Sequence, residues 1–113
     1  METWILIAAI VAFLAWRMMP TKGVKNISTA ELKKIINDKD KVFVDVRTPG
    51  EYKARNVKQF KNIPLGSDFS TLPKEKEIVV ICQSGMRSSQ ACKQLKKMGY
   101  EKVTNVRGGM GAY

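Results

Sequence analysis

The sequence predicts an α/β layered domain on a mainly parallel sheet flanked by helices, with one apolar N-terminal transmembrane helix ahead of it. Three observations predict this. Trp4 to Trp16 form an uninterrupted apolar run of 13 residues. Beyond residue 23, short apolar runs alternate with segments of helical periodicity, the pattern that builds strand–helix–strand units. At 113 residues, one small domain is the ceiling.

Taken in order, the apolar run extends through Thr3, Met18 and Met19 around Arg17 to cover residues 3–19. As a helix it is about 25 Å long, a little short of a hydrocarbon core of about 30 Å. Trp4 and Trp16 stand one at each end, where indole rings favour the headgroup level. A cleaved signal needs a basic start and a small-x-small site. Here the only charged side chain ahead of the run is Glu2, and no such site follows it. A core helix would show a polar face, and this run shows none. It reads as an uncleaved anchor in membrane lipid. Arg17, Lys22 and Lys25 follow it, so the positive-inside rule places the rest of the chain on the cytoplasmic side of the cell membrane.

Residues 20–23 read as a linker and residues 24–113 as the domain. Ser28-Thr29-Ala30-Glu31 is a capping box, and Leu32, Ile35 and Ile36 give one apolar face to the helix it starts. Lys41–Val46 suits a buried strand that delivers Asp45 and Arg47 to its C-terminal end. Thr48-Pro49-Gly50-Glu51 breaks that strand, with Pro49 placed to begin a short helix. Asn62–Leu65 is a brief strand at best. Ile78–Ile81 is the most apolar run of the domain and suits a central strand. Arg87 to Met98 is helical, with Ala91, Leu95 and Met98 on one face, and Gly99 stops it. Val103–Val106 is the last strand.

Composition removes several kinds of chemistry. The chain has no histidine, which excludes a Ser-His-Asp triad and an imidazole base. Its two cysteines, Cys82 and Cys92, are ten apart and cannot form a four-thiolate metal site or a Cys-x-x-Cys redox pair. No metal and no cofactor is expected. So few cysteines also suit a reducing compartment. The net charge of +10 could draw anionic lipid or anionic substrates, but no nucleic-acid module is present and no nucleic-acid partner is expected. Asn26-Ile27-Ser28 matches a glycosylation sequon, which a cytoplasmic placement leaves silent.

What chemistry remains concentrates after the strongest strand. Cys82 follows Ile81 directly, and Gln83-Ser84-Gly85-Met86-Arg87-Ser88 leads into the next helix. Ligands of open parallel sheets bind at the carboxyl ends of strands, where helix N-termini also point. A sulfur there faces unpaired amides and a positive dipole end, so its anion is favoured. Gly85 permits the tight fold of the loop and Arg87 adds a full charge. A buried structural cysteine stays open as the competing reading, and for Cys92 it is the favoured one.

Four blocks now stand together: Val44-Asp-Val-Arg-Thr-Pro-Gly-Glu-Tyr52, Asn62-Ile-Pro-Leu65, Ile78 through Ser89, and Val106-Arg-Gly-Gly-Met110. In this order they resemble the rhodanese-homology family of single-domain sulfurtransferases. The resemblance implies a small α/β domain whose Cys82 accepts a sulfane sulfur as a persulfide. It makes Gln83, Ser84, Gly85, Met86, Arg87 and Ser88 the substrate-binding loop, and Asp45 with Arg47 a charged pair that supports the site. The implied partners are a small anionic sulfur donor, such as thiosulfate or a persulfide, and a thiol or cyanide acceptor. Departures from the family pattern are Arg55-Asn56-Val57, Gln59-Phe60 and the terminal Tyr113.

Loop length separates two relatives. Cys82 to Arg87 is Cys-x4-Arg, whereas phosphatases with the same thiolate-and-arginine logic carry Cys-x5-Arg for a wider tetrahedral group. The shorter loop favours sulfur. A non-catalytic module that recruits a protein partner to the membrane is the alternative of another class, and the intact Cys82 loop argues against it.

Overall fold

The computed structural model describes residues 2–18 and 23–113. Helix α1 spans Glu2–Met18. The domain then runs β1 (Val24–Ile27), α2 (Thr29–Ile35), β2 (Lys41–Asp45), α3 (Pro49–Ala54) and β3 (Lys61–Asn62). It continues through β4 (Glu77–Ile81), α4 (Met86–Lys97), β5 (Val103–Val106) and α5 (Gly109–Ala112). The five strands form one sheet in the order β1-β5-β4-β2-β3, and every pair is parallel.

Local chemistry explains the elements. Ser28 caps α2, its hydroxyl accepting from the Glu31 N–H while the Glu31 carboxylate accepts from the Ser28 N–H. The same box recurs at α3: Thr48 and Glu51 reciprocate, with Pro49 in the first turn. Gly99, at φ +97, ends the α4 segment. Strand β4 is buried on both faces because its side chains alternate between two apolar layers. Ile78 and Val80 join Val44, Ala91, Cys92, Leu95 and Tyr100 on one side. Val79 and Ile81 join Leu32, Phe43, Phe60, Val106 and Met110 on the other. Phe60, one of the family departures, fills the second layer edge-on to Phe43, with centroids 5.3 Å apart. Its carbonyl accepts from the Tyr52 hydroxyl at 2.7 Å.

The N-terminal helix requires a correction. Among the described residues no helix is long and apolar enough to cross a membrane. Helix α1 has 17 residues, about 25 Å at 1.5 Å per residue, against a hydrocarbon core of about 30 Å. The expected transmembrane span over 3–19 is therefore not supported, and Met19 with linker residues 20–22 lies outside the described residues. What does stand is an exposed apolar surface: Trp4, Ile5, Leu6, Ile7, Ile10, Val11 and Leu14 are all open to solvent.

Strand order sets where a ligand can sit. From β4 the chain moves through α4 to β5 on one side; from β2 it moves through α3 to β3 on the other. β2 and β4 are neighbours, so their connections part above the line between them. A crevice at the carboxyl ends of the strands is the consequence.

Candidate active site: a sulfur in an amide cradle

Cys82 follows β4 at that crevice and is fully buried. Beyond it the chain turns sharply at Gly85, whose φ of +106 only glycine adopts without strain, and α4 begins. The turn brings the Gly85 N–H to 2.9 Å from the Cys82 Sγ. Burial pushes the thiol up, but the Ser88 hydroxyl and the N–H groups of Ser88, Gly85 and Ser84 outweigh it. The net titration lies below that of an ordinary thiol. Cys92, equally buried on α4, has no such donors, and burial pushes its thiol up to about 12. The two cysteines differ in their hydrogen-bond donors, not in their exposure.

The amides turn inward because the carbonyls are held outward. The Cys82 carbonyl accepts from the Met110 N–H at 2.8 Å, and the Gln83 carbonyl accepts from the Gly111 N–H at 2.9 Å. Both donors belong to the first turn of α5, whose orphan amides need acceptors. Such close approach demands glycine at position 109: a Cβ there would collide with the Cys82 carbonyl.

Arg87 is not free at rest. Its Nη1 and Nη2 donate to the Glu51 carboxylate at 2.6 and 2.9 Å, a bidentate pair across the crevice from α4 to α3. The Arg87 guanidinium, followed by the Thr48 N–H, holds the Glu51 carboxyl down at about 2. Asp45 and Arg47 make a buried ion pair: Arg47 Nη2 donates to Asp45 Oδ2 at 2.8 Å and Arg47 Nε to both carboxylate oxygens. Arg47 also donates to the carbonyls of Glu51 and Arg55. The pair thus fixes α3 and through it the carboxylate facing Arg87.

The structure accordingly brings Cys82, Ser84, Gly85 and Ser88 together around the sulfur. Gln83 lies on the loop with its carbonyl bound to α5, and Met86 stands 75% exposed at the loop's outer edge. Asp45 and Arg47 sit one strand away. Sequence reasoning missed Glu51, whose contact with Arg87 spans 36 positions. The Thr48-x-x-Glu51 capping pattern was its only local signal. Also missed was Asn105, buried on β5, whose Oδ1 lies 2.6 Å from the Ser88 Oγ. A parallel α/β sheet with a buried cysteine in a ring of loop and helix-start amides defines a class of domain in which the anion of that sulfur is favoured.

Comparison with known proteins gives that class its family. The model of the rhodanese-like domain matches residues 28–113, and the chain belongs to that family. It is 44% identical over 94 residues to YtwF of Bacillus subtilis, a sulfurtransferase by name, covering 80% of this chain and 90% of that one. It is 35% identical over 83 residues to a sulfurtransferase of Allochromatium vinosum, covering 71% and 78%. A rhodanese-like domain protein of Staphylococcus aureus superposes with a TM-score of 0.72 at 32% identity, over 78% of this chain and 89% of that chain.

Proposed function

We propose that this domain is a rhodanese-type sulfurtransferase that carries sulfur on Cys82. The Cys82 thiolate attacks the outer sulfur of thiosulfate or of a persulfide. The donor's S–S bond breaks, sulfite or a thiolate leaves with the bonding pair, and Cys82 becomes a persulfide. A thiol or cyanide acceptor then attacks the outer sulfur, and the Cys82 thiolate is the leaving group. The amides of Ser84, Gly85 and Ser88 serve the anion in every resting state of this cycle, a preorganised electrostatic contribution. Arg87 is the group for the donor's negative end. Its pairing with Glu51 uses one N–H on each Nη, and the remaining guanidinium donors stay for an anionic donor. Because Cys82 has no exposed surface at rest, donor entry requires a neighbouring side chain to move.

The observation that carries this reading is the donor set on Cys82, which overrides the cost of burial. Intact-mass measurement after incubation with thiosulfate tests it. The wild type should gain one sulfur atom, reversed by cyanide, and Cys82→Ser should gain none. No gain from thiosulfate or from persulfide donors would leave a partner-recruiting module as the better account.

We further propose that α1 holds the domain at the cell membrane, with residues 24–113 on the cytoplasmic side. The exposed apolar side chains from Trp4 to Leu14 and the cations Arg17, Lys22 and Lys25 beyond them support this. Flotation with zwitterionic lipid vesicles, which leave the basic domain no charge to bind, tests it: the full chain should float, and a chain starting at Gly23 should not.

A further inference from the structure

Among the described residues, the buried polar side chains are Asp45, Arg47, Ser88, Thr104 and Asn105. Asp45 and Arg47 satisfy one another, and the Thr104 hydroxyl donates to Glu77 at 2.8 Å. Ser88 and Asn105 are different. The Ser88 hydroxyl carries one proton but faces three acceptors: the Gly85 carbonyl at 3.1 Å, Asn105 Oδ1 at 2.6 Å and the Cys82 sulfur. Whichever acceptor takes the proton, the other two go without it. The Gly85 carbonyl already accepts from the Ser89 N–H at 3.1 Å, so the contest lies between Asn105 and the sulfur. In the arrangement seen, Asn105 takes the proton, and its Nδ2 donates onward to Asn26 Oδ1 at 3.1 Å.

A side-chain amide turned by 180° exchanges donor and acceptor with almost no change of shape. If Asn26 and Asn105 both turn, Asn26 Nδ2 donates to Asn105 Oδ1, Asn105 Nδ2 donates to Ser88 Oγ, and the Ser88 proton is released to Cys82. No bond of the chain is lost, and a bond to an anion is gained. Asn26 is exposed on the edge strand β1, so its reorientation proceeds in contact with water.

We propose that Asn105 is a positioning residue for Cys82, which by reversing its amide together with Asn26 turns the Ser88 hydroxyl onto the sulfur when the sulfur is anionic. This rests on the reading of Cys82 as a working thiolate. The thiol state leaves the chain as observed; the thiolate and persulfide anions draw it round. The other titratable groups bearing on Cys82 are Arg87 and Cys92 on α4, with Asp45 on β2 and Glu51 on α3 acting through Arg87. None of these is a member of the amide chain.

Asn26→Asp tests the proposal at an exposed position. A carboxylate only accepts, so it holds Asn105 Nδ2 toward itself and Asn105 Oδ1 toward Ser88, and the sulfur loses the hydroxyl. The assay is the rate of Cys82 alkylation by iodoacetamide against pH, with thermal unfolding recorded alongside. High salt, where the Debye length is only a few Å, suppresses any direct effect of the new charge. The midpoint of the profile should rise by about one pH unit with little change in melting temperature. In a Ser88→Ala background the same substitution should move it by nothing. Asn105→Asp should act in the same direction, and its failure to fold would leave the Asn26 comparison intact. An unchanged midpoint in Asn26→Asp, or an equal shift with and without the Ser88 hydroxyl, overturns the proposal. A wild-type profile with an ordinary thiol midpoint would instead remove the sulfurtransferase reading beneath it.

Discussion

Replacing Gly109 by alanine probes how the loop is held without touching a reacting atom. Gly109 adopts φ +55, where alanine costs about 1 kcal/mol in backbone conformation alone. The added methyl group would also strike the Cys82 carbonyl, which cannot retreat while it accepts from the Met110 N–H at 2.8 Å. Separating α5 from the loop removes that bond and the one from the Gly111 N–H to the Gln83 carbonyl. At about 1 kcal/mol for each hydrogen bond, the total loss is about 3 kcal/mol. Gly111→Ala is the control, since a Cβ there finds the Gln83 carbonyl at 3.2 Å and Gly111 is not among the left-handed glycines. It should cost less than about 1 kcal/mol. Urea unfolding followed by circular dichroism measures both, and single-turnover persulfide formation reports whether the amides still face the sulfur. The Gly109 variant should lose both stability and rate. A Gly109→Ala protein as stable and as fast as the wild type would refute the claim that α5 orients the loop.

Glu51→Gln should remove a pH-dependent share of stability. The Glu51 carboxyl is held down at about 2, so its contribution is fully present above the unfolded value of 4.5 and vanishes as pH falls through about 2. With the two side chains 35% and 34% exposed, solvent screening limits the pair to about 1 kcal/mol. Melting curves from pH 6 down to about pH 2 should show wild type and variant converging. Arg87→Ala should raise the KM for thiosulfate more than it lowers kcat, with an uncharged sulfane donor such as an organic trisulfide less affected; equal loss for all donors would deny it the anion-binding role. Tyr100→Phe removes a hydroxyl that lies 2.8 Å from the Phe69 carbonyl and 2.7 Å from that of Leu72, and should cost about 1–2 kcal/mol in urea melts while persulfide formation persists.

The elements that were legible in the sequence are those fixed by neighbours in the chain. The Ser28 box, the β4 run, Pro49 at the start of α3 and the Gly99 stop each depend on a few adjacent residues, and each stands where local chemistry puts it. Cys82 with its loop was equally local, because the donors that reach the sulfur lie within six positions of it. The rest of the site was not. Glu51 meets Arg87, Gly109 underlies Cys82, and Asn105 touches Ser88 only because β2, β4 and β5 lie side by side. Strand adjacency is decided by how the crossovers pack, and no short pattern encodes it. Arg55 and Gln59, departures from the family pattern, bond to the Met110 carbonyl and to Asn37. These are tertiary partners as well. Helix α1 illustrates the converse: apolar composition was plain, but over the described residues its length falls short of a bilayer core.

Ultraviolet titration of the thiolate in Cys92→Ala, which leaves Cys82 as the only cysteine, bears most directly on the whole account. The absorbance should appear with a midpoint below the ordinary thiol value, and Ser88→Ala, which deletes the hydroxyl donor, should move it upward. A midpoint at or above that of a free thiol would contradict the account, because the donors around Cys82 would then not be stabilising an anion.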